Sequence, residues 1–180
     1  GCDGVIHLAA HLGVGRTEKN KLRCLDINID GTKNLLEEAS MNGYIKKFIF
    51  ASSSEVYGEP ITNPVKETNI TQGKTVYAIS KLVGEELVKA YSNEYTKFKF
   101  SILRYFNTYG PHQIAQFVIP KFISNVLSGK PPVIYGNGFQ ERSYNFSHDT
   151  ARATADALFK DTTNNMILNI GNSQEPINLI

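Results

Sequence analysis

The 180-residue chain has no tryptophan and only two cysteines, and none of its apolar runs approaches the roughly 18 residues a bilayer span requires. Cys2 and Cys24 cannot build the disulfide framework of a small secreted domain, and they show no paired metal spacing. A reducing, cytoplasmic setting is therefore the expectation. No charged-then-apolar signal segment opens the chain. An excess of one charge is also missing: 19 Lys and Arg against 17 Asp and Glu leave +2, which argues against a polybasic nucleic-acid surface. Gly-x-Ser-x-Gly is absent, and His7, His11, His112 and His148 have no evident serine partner, which disfavours a hydrolase. What remains, 41% hydrophobic and 20% charged residues without repeats or low-complexity tracts, describes an ordinary globular chain long enough to bury a core.

Val5-Ile6-His7-Leu8-Ala9-Ala10 is a short apolar run that reads as a strand buried on both faces, the kind found in parallel sheets. Gly13-Val14-Gly15 fails as a dinucleotide fingerprint: Glu18 stands where the third glycine belongs, and no helical pattern opens there. His7 and His11 read as packed histidines rather than metal ligands. Ile29, Leu35, Leu36 and Ala39 predict a helix over Asn28–Asn42, with Gly43 placed for a left-handed C-terminal residue. Lys46–Ala51 is the next buried strand, and it runs into Ser52-Ser53-Ser54-Glu55-Val56-Tyr57-Gly58. Three hydroxyls and a carboxylate thus sit at a strand's carboxyl end, the edge where open parallel sheets bind ligands. Residues 59–74 read as loop. Phe100–Phe106 is a third strand, and helix between strands twice over predicts a doubly wound α/β sheet of Rossmann type. Beyond Gly110, a helix over Phe117–Leu127, a short strand over Pro131–Tyr135, an Asn137-Gly138 hairpin turn before Arg142–Phe146, a helix from Asp149 to about Phe159 and a strand over Met166–Gly171 are expected. The division predicted is 1–110, the later part of a dinucleotide-binding domain, and 111–180, part of a smaller substrate-binding region interleaved with the last sheet elements.

Tyr77-Ala78-Ile79-Ser80-Lys81 opens a helix that runs to about Tyr91, and residues four apart on a helix share a face. A phenol titrates near pH 10, too high for efficient proton transfer at neutrality, and a neighbouring cation lowers it. Of the nine tyrosines only Tyr77 and Tyr95 are followed by lysine at the fourth position. Tyr95 and Lys99 fall where a helix ends and a strand begins, so that pair reads as ordinary surface.

His-Leu-Ala-Ala after a strand, Asn28 with Gly31-Thr32, Ser-Ser-Ser-Glu-Val-Tyr-Gly, Tyr-x-x-x-Lys, Arg-Tyr-Phe-Asn-x-Tyr-Gly-Pro and Tyr-Gly-x-Gly-x-x-x-Arg follow one another in this order. Together they resemble the extended short-chain dehydrogenase/reductase family, in particular its NAD-dependent nucleotide-sugar epimerases and dehydratases. The resemblance implies that Ser53 would hydrogen-bond the C4 oxygen of the sugar, and that Tyr77 would take the C4 hydroxyl proton while hydride passes to NAD. Lys81 would hold the cofactor's ribose hydroxyls and depress the Tyr77 pKa. Leu8, Ala9 and Ala10 would lie beneath the cofactor, with Asn28, Ser52 and Phe106 beside it. Ser53, Ser54, Asn107, Phe117, Val118, Tyr135 and Arg142 would meet the nucleotide sugar, Asn107 at the diphosphate and Arg142 at the nucleotide end.

Glu55 would join the chemistry after a 4-keto sugar forms, as in dehydratases and UDP-glucuronate decarboxylases. Ser54 replaces the aspartate of the thymidine-linked dehydratases, which speaks against that substrate class. Epimerase, dehydratase and decarboxylase stay open, as do a reductase of the same superfamily and a non-catalytic NAD-sensing or scaffold relative. The Gly-x-x-Gly-x-x-Gly loop of the resembled family is not in this sequence, so about 60 residues of two βαβ units would precede Gly1. The 180 residues alone are expected to bind NAD weakly or not at all. A homodimer is expected of the full-length protein.

Overall fold

The computed structural model describes the whole chain except Asn42, Thr96, Lys97, Tyr135, Glu175, Leu179 and Ile180, and at Val14 it describes the backbone only. Two compact units are formed: Gly1–Tyr105 with Ala153–Ile170, and Phe106–Arg152 with Gly171–Ile180.

The first unit is built on four parallel strands in the order β1-β2-β3-β6: β1 Gly4–His7, β2 Lys47–Ser53, β3 Lys99–Tyr105 and β6 Met166–Ile170. Alternation along β2 explains its covering. Phe48 and Phe50 face one side, where they pack with Phe100 and Ile102 of β3, Leu36 and Ala39 of α3 (Gly31–Met41) and Val88 of α4 (Val76–Glu94). Ile49 faces the other side and packs with Leu103 and with Ala157 of α6 (Ser147–Phe159). Helices on both faces of a parallel sheet are the doubly wound arrangement the sequence predicts. Gly84 lets α4 approach β2, since a Cβ there would stand 2.3 Å from the Phe50 ring.

Several boundaries differ from the sequence reading. β1 ends at His7 rather than Ala10, and just beyond it the Asn28 amide takes the backbone N–H and C=O of His11. The stretch expected to lack a helix holds α1 (Val14–Lys19), followed by α2 (Lys21–Leu25) and a π-helical turn, Asp26–Asp30, which leads into α3. Val-Gly-Arg-Thr-Glu-Lys carries too few apolar residues to show a period. Its helix is held by tertiary bonds, notably Glu18 Oε1 accepting from Val76 N at 3.0 Å. Helix α4 stops at Glu94, so Tyr95 and Lys99 do not share a helical face, and Tyr95 instead stacks on Tyr91 with centroids 5.8 Å apart.

In the second unit, β5 (Arg142–Phe146) pairs parallel with β4 (Asn107–Tyr109) and antiparallel with β7 (Pro176–Ile177). Residues 131–134 form no strand. Pro131 and Pro132 carry no N–H for a ladder, and the stretch is exposed. Asn137 lies in a turn, as its sequence suggests, but β5 takes partners other than a hairpin neighbour. Helix α5 (Val118–Leu127) begins after Phe117 with Pro120 in its first turn.

Candidate functional site

The hydroxyl-rich segment and the Tyr77 helix meet at the carboxyl edge of the first unit's sheet. Ser53 is the last residue of β2 and caps the 3-10 turn Ser54–Tyr57, its Oγ accepting from Glu55 N at 3.2 Å. The turn closes at Gly58, whose φ of 62° and close approach to the Gln72 carbonyl leave no room for a side chain. Thr75 caps α4 by accepting from Ala78 N at 3.1 Å, and its own proton goes to Glu55 Oε2 at 3.2 Å. Two caps thus fix the turn bearing Glu55 against the helix bearing Tyr77. The Ser53 hydroxyl is near enough to the Tyr77 phenol to act on its pKa in the lowering direction. One helical turn on, Lys81 Nζ lies 5.7 Å from the centre of the Tyr77 ring and 5.1 Å from that of Phe50, and donates to the Ala51 carbonyl at 2.7 Å.

Burial and the charge of Glu55 push the Tyr77 phenol up to about 12, against the Ser53 hydroxyl. The depressed phenol expected from the Tyr-Lys spacing is therefore not what the structure holds. The Lys81 ammonium stands over the ring and is bonded to a carbonyl, and burial brings its own pKa down to about 8. Glu55 is raised, first by burial, against the lowering hydrogen bond from Thr75. Burial, with the Lys81 charge, brings His7 down to about 4. The Thr32 hydroxyl donates to the Asn28 carbonyl at 2.6 Å, so it accepts from His7 Nε2–H at 3.0 Å, which assigns a neutral His7 tautomer.

Asn28 is buried on the π-helical turn and acts as a clamp. Its Oδ1 accepts from His11 N at 2.7 Å, while its Nδ2 reaches the His11 carbonyl at 3.1 Å and Ser80 Oγ at 2.9 Å. Ser80 in turn donates to the Tyr77 carbonyl at 2.7 Å. With its amide so engaged, Asn28 positions the segment Leu8–Leu12 beside α4. Leu8 is 57% exposed, Ala9 is exposed and Ala10 half-buried. Ser52, expected at the cofactor, is buried and gives its proton to Glu85 Oε1 at 2.5 Å, on the opposite strand face from Ser53. Ser54 is half-buried at the start of the turn.

Glu85 belongs to a network that the sequence reading assigns no role. It forms a two-pronged ion pair with Arg104 (Nε to Oε1 2.9 Å, Nη2 to Oε2 2.7 Å), the two side chains 1% and 4% exposed. Arg104 Nη1 donates to the Tyr57 hydroxyl at 2.9 Å, and that hydroxyl donates to Asn169 Oδ1 at 2.7 Å. The chain joins α4, β3, the Val-Tyr-Gly turn and β6 directly below the site. Glutamate two turns after a tyrosine is the only local sign of it.

In the second unit, Asn107 stands opposite Tyr144 in the β4–β5 register. Arg142 is exposed, and its Nη1 donates to the Glu141 carbonyl at 2.7 Å. Phe117 and Val118 are half-buried at the start of α5, and Phe106 packs against Gly171. Tyr135 lies outside the described residues. Among the described residues no cluster of His, Cys, Asp or Glu could hold a metal, and no helix is long and apolar enough to cross a membrane.

A parallel Rossmann-type sheet with serine, tyrosine and lysine at its carboxyl edge defines the short-chain dehydrogenase/reductase class. Residues 1–171 match the model of the NAD dependent epimerase/dehydratase family, and the chain belongs to that family. It is 38% identical, over 96% of its length, to a UDP-N-acetyl-alpha-D-glucosaminuronate decarboxylase of Bacillus cytotoxicus, 55% of which it covers. Among solved structures it resembles the UDP-N-acetylglucosamine 4-epimerase of Methanobrevibacter ruminantium M1 in complex with UDP-N-acetylmuramic acid (TM-score 0.92, 35% identity, 98% of this chain and 57% of that one). It also resembles the UDP-glucuronic acid 4-epimerase of Bacillus cereus in complex with UDP-glucuronic acid and NAD (TM-score 0.90, 34% identity, 98% and 56%). The chain thus spans a little over half the length of each.

Proposed function

We propose that the full-length protein is an NAD-dependent nucleotide-sugar epimerase or dehydratase, working as a homodimer, whose first half-reaction oxidises the sugar at C4. The observation that carries this reading is the meeting of Ser53, at the end of β2, with Tyr77, in the first turn of α4, at the sheet's carboxyl edge, with Lys81 one helical turn on and its Nζ 5.7 Å from the Tyr77 ring centre. The donor set suits the cofactor. Lys81 Nζ has three protons and spends one on Ala51, and Leu8 and Ala9, which follow β1, present exposed apolar side chains. Lys81 and Tyr77 would hold the ribose hydroxyls, with Leu8, Ala9 and Ala10 beneath and Asn28 fixing their segment; Phe106 would lie alongside.

NAD, when bound, supplies the hydride acceptor and a positive ring, and a positive charge acts on a nearby phenol in the lowering direction. Ser53 hydrogen-bonds the C4 oxygen, and Tyr77, as phenolate, takes the C4 hydroxyl proton. The electron pair of the C4–H bond would pass as hydride to the bound cofactor as the C4–O bond became a carbonyl, and its return from the reduced cofactor to the other face of C4 would give an epimer. Glu55, whose carboxyl is raised by burial, would exchange a proton with the 4-keto sugar, a role that favours the dehydratase or decarboxylase branch. Asn107 and Arg142 are assigned to the diphosphate and nucleotide, Arg142 through its guanidinium fork, and Ser54, Phe117, Val118 and Tyr135 to the walls of the sugar-nucleotide site.

The test is a panel of UDP- and dTDP-linked hexoses and uronic acids, deuterated at C4, incubated with the full-length protein and NAD and followed by NMR. The reading expects conversion of at least one substrate with a primary isotope effect from C4. Conversion of none, or conversion insensitive to C4 deuteration, would overturn it.

A further inference from the structure

One buried group takes no part in the chemistry above. His11 is 7% exposed, and its Nε2 is buried without a hydrogen-bond partner. The residue is not loosely held. The Asn28 amide bonds both its N–H and its carbonyl, and Asn28 also bonds Ser80, which bonds the Tyr77 carbonyl. His11 is thereby locked, through one asparagine, to the first turn of the helix that bears Tyr77 and Lys81. Its neighbour in the motif behaves differently. Both histidines are packed, as the sequence predicts, but His7 places Nε2 on the Thr32 hydroxyl while His11 Nε2 has no such partner. Leaving a buried polar nitrogen unpaired costs its full desolvation, and such a group in a native fold calls for a reason. A ligand that arrives after folding and completes the hydrogen bond is such a reason. Stability is then given up for binding.

We infer that His11 is a cofactor-contacting residue, its Nε2 making a hydrogen bond to a polar group of bound NAD. The inference rests on the NAD reading above and adds to it a side chain on the segment Leu8–Leu12. A dinucleotide presents hydroxyl, amide and phosphate oxygens, and an imidazole nitrogen can donate to any of these or accept from the hydroxyls. A histidine with only a packing role would act in the opposite sense, because its removal would lower stability and leave affinity alone.

The experiment uses the full-length protein. NADH is titrated by fluorescence into wild type, His11→Phe and His11→Gln, and thermal unfolding is recorded with and without NAD. His11→Phe should weaken NADH binding up to about tenfold, the weight of one net hydrogen bond, and shrink the NAD-induced rise in Tm. Its Tm without ligand should be unchanged or higher, because an apolar ring replaces an orphan. His11→Gln, which restores an amide donor and acceptor, should recover part of the affinity. Equal NADH affinity in wild type and His11→Phe overturns the inference. A loss confined to nucleotide-sugar affinity overturns it equally, by assigning the residue to the substrate. If wild type itself binds no NADH, the NAD reading fails first and takes this one with it. Should His11→Phe not fold, 15N-histidine spectra of the wild type decide: the His11 Nε2 resonance should move when NAD is added, and an unmoved resonance with bound cofactor contradicts the assignment.

Discussion

Tyr77 and Lys81 are four residues apart, yet the environment treats them oppositely from what their spacing alone suggests. A rule that pairs a phenol with a cation assumes the two heads meet. Here the ammonium lies over the ring and bonds Ala51, and burial dominates both groups. The consequence for stability is measurable. Below pH 8 Lys81 is protonated in both folded and unfolded chains. Between about 8 and the ordinary 10.5 the unfolded chain holds the extra proton, so stability rises with pH across that window. Urea unfolding at pH 7.5, 9 and 10 should show the full-length wild type gaining on Lys81→Met by up to about 3 kcal/mol, the value of a shift of that size. A difference that stays constant with pH would mean Lys81 is not depressed. Tyr77 acts later: its raised pKa contributes stability that is complete below 10 and lost as pH climbs through about 12.

At the scale of elements, the site depends on how α4 is seated. Glu18 and Thr75 close its N-terminus, Gly84 sets its distance from β2, and Glu85 anchors it to β3 through Arg104. Glu85→Gln leaves a buried guanidinium without its counter-charge, and a loss of about 3–5 kcal/mol is expected in denaturant unfolding. Gly84→Ala drives a methyl into the Phe50 ring and should cost about 1–3 kcal/mol as overpacking. If Gly84→Ala proves neutral, the close approach of α4 to β2 is wrong. Strands β2 and β3 and helix α4 are legible in the sequence because apolar runs and a helical period announce them. Helix α1, the π-helical turn and the early end of β1 are not. Each is held by a partner distant in sequence, Val76 for Glu18 and His11 for Asn28, and no window of local periodicity contains both ends of such a bond. The same reason hides the Glu85–Arg104 pair, and it sends Ser52 inward while its neighbour Ser53 keeps the site. Pro131–Ile134 misleads in the other direction, since the β-forming Val133 and Ile134 follow two prolines that bring no N–H to a ladder.

At the scale of the molecule, the family and the parallel sheet are readable from one ordered set of short motifs. No one of those motifs would have sufficed. Of the residues assigned to the nucleotide sugar, Ser53 and Ser54 belong to the first unit and Asn107, Phe117, Val118 and Arg142 to the second, whose sheet of β4, β5 and β7 draws strands from both ends of its sequence. That interleaving is why the segment around Asn137 looks like a hairpin in isolation. Whether Tyr77 moves the C4 proton is read most directly from kcat of full-length Tyr77→Phe on the nucleotide sugar that wild type converts. Removing the hydroxyl while keeping the buried ring should lower kcat about 10²- to 10⁴-fold, the contribution of a positioned proton-transfer group, with KM little changed. A Tyr77→Phe enzyme that turns over at the wild-type rate would contradict that role.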